Sequence, residues 1–283
     1  MERINSGACK EKLKMYYKNP PEYVSDLSET TLYDAYKRAN KDNWDSLAII
    51  TMDGGYQYTH RELINMIDLA ASGFSKLGVK EDSKIGIMLN NTVEEAVSLL
   101  ALNKLGAVSV FVDVTKSISD IEHSLSQHNL QMLIFDEVLL PMEPIINKKN
   151  LPIIIANQSK PSEKGIPFIE LYFKGKDFEI ESVPFKKDKP SVIINSSGTT
   201  GLPKPIVHTD FSVNMAVYKM LCSDYPMNRN NLVMKIICWQ SLFWEPLLIT
   251  RLGRIAMRQS SDRSMCTILK VQLSLATTLA SIT

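Results

Sequence analysis

Short apolar runs alternate along the chain with longer segments in which apolar residues recur at helical spacing. Such runs, bounded by polar and turn-forming residues, are typical of buried strands. They are residues 47–50, 84–89, 108–112, 132–135, 151–155 and 192–194. Strands that alternate with helices predict an α/β fold of layered, mostly parallel sheets flanked by helices.

The longest helical pattern begins after Thr59 and places apolar residues on one face as far as Leu77. Thr59 and Glu62 form a capping-box pattern, in which each side chain hydrogen-bonds the backbone of the other residue. Gly78 predicts the end of this helix, because glycine readily adopts the left-handed conformation that closes a helix. We expect His60, in the first turn, to face solvent and to have no catalytic role.

Similar Ser/Thr-x-x-Glu patterns predict further helix starts at Thr92 and Ser119. Apolar spacing predicts a short helix over residues 31–38 and another near residues 143–148. The segment 157–189 is polar and contains several prolines, so it predicts a loop region with only short strands.

Turn and cap signals complete the outline of the chain. Residues 53–55 (D-G-G) predict a turn that folds residues 56–58 back on the first strand as a hairpin. Asp210 or Ser212 is expected to cap a helix. Further predictions are strands at 232–238, 253–257 and 271–275, with helices at 239–249 and 265–270.

The stretch with the most distinctive chemistry is 191–208, S-V-I-I-N-S-S-G-T-T-G-L-P-K-P-I-V-H. Its apolar start predicts a strand, after which glycines and hydroxyl side chains follow one another before a single cation, Lys204. Glycine-rich turns direct backbone N–H groups towards one point and attract anions, and the hydroxyl groups and the ammonium add donors. The stretch therefore predicts a phosphate-binding loop.

A Walker loop is not indicated, because that motif needs Gly-Lys-Ser/Thr leading into a helix. Here Lys204 lies between Pro203 and Pro205, and prolines on both sides disfavour an immediate helix. We therefore expect the loop to join one strand to another. The Gly-x-Gly-x-x-Gly dinucleotide fingerprint is also absent from the sequence.

Residues 196–204, S-S-G-T-T-G-L-P-K, resemble the phosphate-binding signature of the adenylate-forming superfamily. That superfamily includes acyl-CoA ligases, firefly-luciferase-like enzymes and peptide-synthetase adenylation domains. Two looser resemblances to its core motifs occur at residues 56–63 and 102–113. The resemblance implies an N-terminal part of the adenylate-forming enzyme fold. It also implies ATP, Mg²⁺ and coenzyme A as partners in the activation of a fatty or aryl carboxylic acid.

The resemblance implies particular site residues. The donors to the nucleotide phosphates are Ser196, Ser197, Gly198, Thr199, Thr200, Gly201 and Lys204. His208 matches a position near the acyl site, although a polar residue at a strand end is an equal alternative. Trp239 matches an aromatic residue beside the acyl pocket, although core packing explains it about as well. Where the family usually has glycine, this chain has Pro205. Because proline removes an N–H and fixes φ, the loop is impaired if the family glycine donates or has a positive φ.

The resemblance also implies a domain arrangement. Residues 1–27 are expected to be an extension, and residues 28–283 a truncated AMP-binding domain. The family's Tyr-Gly-x-Thr-Glu segment, ribose-binding aspartate, hinge and small domain with its catalytic lysine are not found in the sequence. We therefore expect this chain to hold no catalytic residue and no metal-binding carboxylate, and to be inactive alone. The alternatives are a non-catalytic nucleotide-binding or interaction fragment and an unrelated α/β phosphate binder.

Composition excludes several other classes. The net charge of +1 and the pI near 7.6 give no electrostatic case for nucleic-acid binding. Four scattered cysteines favour a reducing compartment over a zinc site or a disulfide framework. His123 and His128 are wrongly spaced for a metal pair.

With no signal peptide, no apolar span and no S-K-L terminus, we expect a cytoplasmic protein, or a peroxisomal one by family resemblance.

Overall fold

The computed structural model describes residues 29–51, 56–89, 92–159, 162–195 and 203–222. The predictions at residues 1–27 and 53–55 and those beyond residue 222 lie outside these ranges. The helices are α1 Leu32–Ala39, α2 His60–Lys76, α3 Val93–Lys104, α4 Ile118–Ser126, α5 Glu143–Ile146, α6 Ile169–Gly175 and α7 Asp210–Cys222. A 3₁₀ helix, Glu137–Met142, precedes α5.

The strands are β1 Leu47–Ile50, β2 Gln57–Thr59, β3 Lys84–Met88, β4 Val108–Phe111, β5 Met132–Asp136, β6 Ile153–Ala156, β7 Ile166–Pro167, β8 Pro190–Asn195 and β9 Pro205–Thr209. Strands β1 and β2 form a separate antiparallel pair, as the hairpin pattern predicted. The other seven strands form one sheet in the order β7-β6-β5-β3-β4-β8-β9. All neighbours in it are parallel except β8 and β9, so the predicted α/β fold with a mostly parallel sheet is confirmed.

The core lies on both faces of this sheet. On one face, Ile85 and Ile87 of β3 belong to a buried cluster with apolar residues of α1, α2 and α3. On the other face, Leu133 and Phe135 of β5 belong to a second cluster with Ile121 of α4. Alternate residues of each strand thus point to opposite helical layers, which explains why the strands read as continuous apolar runs.

Helix α6 corrects the prediction that residues 157–189 form only loops and short strands. It packs against α2 through two glycines, where the backbones of the helices meet. A Cβ placed on Gly73 would lie 2.3 Å from the carbonyl oxygen of Leu171, and one on Gly175 would lie 2.0 Å from that of Leu69. The helix has only seven residues, too few for a periodic apolar pattern, so we attribute its stability to this tertiary contact.

Local hydrogen bonds set the starts of the helices. The Thr59–Glu62 capping box is present, and the Thr92 side chain accepts from the backbone of Glu95. The prediction that Ser119 caps α4 was wrong, because the side chain that accepts from Asp120 N is that of Ser117. The distance between Ser117 Oγ and Asp120 N is 3.2 Å, so an aspartate fills the place expected for glutamate.

The start of α7 also differs from the prediction, which placed the cap at Asp210 or Ser212. Thr209 Oγ1 accepts from Ser212 N at 3.2 Å, and Ser212 Oγ accepts from Thr209 N at 3.0 Å. These reciprocal contacts resemble a capping box in which serine takes the place of glutamate. The last residue of β9 therefore also begins the helix.

His60 does not face solvent as predicted, because its side chain is completely buried. Its Nδ1 atom lies 2.7 Å from the hydroxyl oxygen of Tyr36, and the two rings are tilted against each other. Tyr36 comes from α1, so this contact fixes α1 against the first turn of α2. Among the described helices, none has the length and apolarity that a membrane crossing needs.

Candidate functional site

Strands β8 and β9 hold the two ends of the predicted phosphate-binding loop. They are antiparallel, and Asn195 at the end of β8 lies opposite Pro205 at the start of β9. Lys204 therefore leads into a strand and not a helix, which confirms the strand-to-strand prediction and contradicts a Walker arrangement. The six residues predicted to donate to phosphate between these strands lie outside the described ranges: Ser196, Ser197, Gly198, Thr199, Thr200 and Gly201.

Pro205, where the sequence departs from the family pattern, is the first residue of β9. Strand β9 is also the edge strand of the sheet as far as the described residues extend. Proline is tolerated at the first residue of a strand and on an edge strand, because its missing N–H breaks no central ladder there. The hairpin thus accommodates Pro205 as extended backbone.

The segment just before β9 is tied to helix α4. Gln127, which follows the last residue of α4, donates from Nε2 to the carbonyl oxygen of Pro203 at 3.3 Å. The same nitrogen also contacts Nε2 of His123. Pro203 is buried and Lys204 is exposed, so the contact anchors the backbone from which the predicted phosphate-binding ammonium projects. No sequence motif marks Gln127.

His208 lies on β9 opposite Val192, and its side chain is half-buried. Burial lowers the pKa of this imidazole, so the neutral form is favoured in the folded protein. A neutral imidazole offers one donor and one acceptor. His208 lies within β9, four residues after Lys204, which directly precedes the strand. Trp239, the other predicted pocket residue, lies outside the described ranges.

The side chain of Asn195 has an unusual environment. Both its amide atoms, Nδ2 and Oδ1, are shielded from solvent and have no hydrogen-bond partner. Because side chains alternate along a strand, Asn195 shares a face of β8 with Ile193, which packs in the cluster beside α4. Sequence analysis assigned no role to Asn195.

A buried polar network links β8 of the hairpin, and α7 directly after it, to helices α1 and α3. Asn103 of α3 donates from Nδ2 to Ser191 Oγ at 3.0 Å and to Asp210 Oδ1 at 2.7 Å. Its Oδ1 atom accepts from the backbone N–H of Tyr33 at 2.9 Å. Burial raises the pKa of Asp210, and the hydrogen bonds from Ser191 and Asn103 act in the opposite direction. Four elements, α1, α3, β8 and α7, therefore meet at one amide.

The site lies where the parallel strands end. Ligands of open α/β sheets bind outside the carboxyl ends of the strands.

Asp113, two residues beyond β4, accepts from Thr115 N at 2.8 Å and lies 3.7 Å from the ammonium of Lys116. Asp113 is thus a turn residue. Within the described ranges, no group of three or more His, Cys, Asp or Glu side chains could hold a metal ion.

The family model for the AMP-binding enzymes matches residues 36–253, which include the β8–β9 hairpin and helices α2 to α7. The chain belongs to this family. Its curated relatives include 4-coumarate–CoA ligase 3 of Arabidopsis thaliana, 28% identical over 204 residues, which are 70% of this chain and 35% of that ligase. The 4-chlorobenzoate–CoA ligase of an Arthrobacter species is 26% identical over 57% of this chain and 30% of its own length. The chain thus spans about a third of the length of these relatives.

Two solved structures have the same fold as this chain. The anthranilate CoA ligase AuaEII in complex with anthranoyl-AMP gives a TM-score of 0.61 at 22% identity, covering 69% of this chain and 38% of that one. The luciferase-like enzyme of the nonluminescent mealworm Zophobas morio also gives 0.61, at 24% identity, covering 68% of this chain and 45% of that one. These two structures confirm the predicted fold.

Proposed function

We propose that this chain is the ATP-phosphate-binding part of an acid–thiol ligase, which activates a carboxylic acid with ATP and transfers it to coenzyme A. The observation that carries the proposal is the β8–β9 hairpin. It joins its strands through S-S-G-T-T-G-L-P-K, within the part of the chain that the family model matches. Lys204 at the exit of that loop would bind the β- and γ-phosphates.

The chemistry of acid activation explains why such a loop is needed. A carboxylate oxygen attacks the α-phosphorus of ATP, the bond to pyrophosphate breaks, and an acyl-AMP forms. Negative charge is concentrated on phosphate oxygens in this step, so fixed N–H, O–H and ammonium donors lower its barrier. Ser196, Thr199, Thr200 and Lys204 would supply such donors. Mg²⁺ would arrive with ATP and neutralise further phosphate charge.

The relatives suggest which acids to test first. The names of three similar ligases specify aromatic acids, namely 4-coumarate, 4-chlorobenzoate and anthranilate. We therefore propose an aryl carboxylic acid as the preferred substrate class and a fatty acid as the second. Half-buried His208, in its neutral form, could hydrogen-bond the substrate carboxylate, and Trp239 would form part of the pocket wall.

A second candidate function is nucleotide binding without acid activation by these 283 residues. The matched region is 35% of the length of the 4-coumarate–CoA ligase. The apolar side chains of Ile206 and Val207 on β9 are exposed and would suit contact with another protein. The two candidates differ in whether pyrophosphate is released.

Pyrophosphate release separates these candidates. The purified chain is mixed with MgATP and a panel of aromatic and fatty acids, and release is followed with a coupled enzyme assay. Release that depends on the acid and is lost in Lys204→Ala supports acid activation by this chain. Binding of ATP without release supports the second candidate. Absence of both ATP binding and release contradicts the proposed function.

A further inference from the structure

We infer that Asn195 is a further nucleotide-binding residue, whose side-chain amide hydrogen-bonds the phosphate chain of ATP. The inference rests on the proposed function and adds a residue to its site. It begins from the amide itself, because Asn195 is the only residue in the described ranges with two buried side-chain polar atoms that lack hydrogen-bond partners. A buried amide without partners lowers the stability of the protein, and native proteins seldom retain one without a reason.

The other buried asparagines among the described residues each have a protein partner, although Asn40 is only partly satisfied: its Nδ2 donates to the carbonyl oxygen of Tyr36 at 2.9 Å, and its Oδ1 has no partner. Asn103 bonds Ser191 and Asp210, and Asn214 donates to the carbonyl oxygen of Thr30 at 2.8 Å. Asn147 bonds both backbone groups of Leu151. Each of these four amides thus has at least one protein partner, whereas the amide of Asn195 has none.

The position of Asn195 points to a ligand as the missing partner. It is the last residue of β8, at the carboxyl end of a parallel strand, and directly precedes Ser196. Across the hairpin it faces Pro205, which has no N–H to donate. Asn195 is thus the last described residue before the predicted phosphate-binding loop.

The chemistry of the amide selects the ligand. Nδ2 carries two N–H donors, which suit phosphate oxygens because these are charged acceptors. Oδ1 needs a donor, which a water molecule bound to the phosphate chain or to its Mg²⁺ supplies. A hydrated triphosphate satisfies both atoms at once, whereas an apolar acyl group satisfies neither.

The test compares Asn195→Leu with the unsubstituted chain and with Asn214→Leu as a matched control. Each variant is unfolded with urea without nucleotide, and each is titrated with MgATP and with pyrophosphate by calorimetry. Leucine has the same branching as asparagine, with two methyl groups in place of the polar atoms. We therefore expect Asn195→Leu to be as stable as the unsubstituted chain or more so, while its Kd for MgATP rises about tenfold.

Asn214→Leu should show the opposite behaviour, because its amide has a structural partner. Its stability should fall, and its Kd for MgATP should stay within about twofold. A second variant, Asn195→Asp, places a negative charge beside the phosphates and should weaken MgATP binding about a hundredfold.

Three results would overturn the inference. Loss of stability in Asn195→Leu would show that the amide has a structural role. Unchanged affinity in Asn195→Leu and Asn195→Asp would remove Asn195 from the site and leave the proposed function intact. Failure of the unsubstituted chain to bind either MgATP or pyrophosphate would overturn the proposed function, and this inference with it.

Discussion

Asn103 Nδ2 donates to Asp210 Oδ1 over 2.7 Å, although the two residues are 107 positions apart in the sequence. Through Ser191 the same amide also contacts β8, and through Tyr33 it contacts α1. Asp210 begins α7 directly after β9. The orientation of the hairpin that carries the predicted phosphate-binding loop therefore depends on one buried amide in α3.

Replacing Asn103 with leucine should destabilise the protein by about 3 kcal/mol. The substitution leaves the buried Asp210 carboxylate without one of its donors and the N–H of Tyr33 without an acceptor. Urea denaturation measures the change in the free energy of unfolding. Asn43→Ala, in the turn after α1, serves as the control and should change this free energy by less than about 0.5 kcal/mol. Equal effects of the two substitutions would show that the network is not important for stability.

Asp210→Asn should be as stable as the unsubstituted chain at pH 7, or more stable by up to about 1 kcal/mol. Asparagine retains Oδ1 as the acceptor for Asn103 and removes a charge whose burial is costly. Because burial raises the pKa of Asp210 above 3.8 in the folded state, folding favours the protonated form. The contribution of Asp210 to the stability of the unsubstituted chain is therefore fully present below pH 3.8. It is lost as the pH rises through the folded pKa. The advantage of the variant should therefore grow from pH 3.5 upward, and an advantage that grew towards acid would contradict this account.

Glu81 should contribute to acid sensitivity. It accepts from Lys186 at 2.7 Å and from Lys189 at 2.6 Å, and these hydrogen bonds lower its pKa from 4.5 to about 2. Because the folded pKa is the lower one, the stabilisation is present above pH 4.5 and is lost as the pH falls towards 2. Glu81→Gln should therefore lose less stability than the unsubstituted chain between pH 4.5 and 2. Because Glu81 is exposed, the difference should shrink in 1 M NaCl, and a salt-independent difference would contradict an ionic origin.

Gly175→Ala should destabilise the protein by about 3 kcal/mol, because a Cβ there would lie 2.0 Å from the carbonyl oxygen of Leu69. Relief of this overlap requires α6 to move away from α2. Lys174→Ala, the neighbouring position in the same helix, is the control and should have an effect below about 0.5 kcal/mol. Thermal unfolding of the two variants measures the difference. If Gly175→Ala melted like the control, the close backbone contact would not be present in solution.

Sequence analysis predicted the features of this fold that depend on local patterns. Apolar runs identified the main strands, and the Thr59–Glu62 pair identified the start of α2, because these signals involve residues within a few positions of each other. The signature at residues 196–204 identified the family without any structure. That this signature binds phosphate remains a prediction.

The features that sequence analysis missed depend on contacts between distant residues. His60 has a polar side chain in a first helical turn, and only its contact with Tyr36 of α1 explains its burial. Helix α6 forms through its fit against α2 at Gly175 and Gly73, which no periodic pattern records. The unsatisfied amide of Asn195 is likewise a property of its three-dimensional surroundings.

Calorimetric titration with MgATP tests the central claim most directly, namely that the β8–β9 hairpin of this chain binds the phosphates of ATP through Lys204. We predict saturable binding to the unsubstituted chain and a Kd at least about tenfold higher for Lys204→Ala, because a charge-assisted contact to phosphate is lost. Lys80→Ala, an exposed lysine near the opposite end of the strands, should bind like the unsubstituted chain. Equal affinity of all three proteins, or no binding by any of them, would contradict the account.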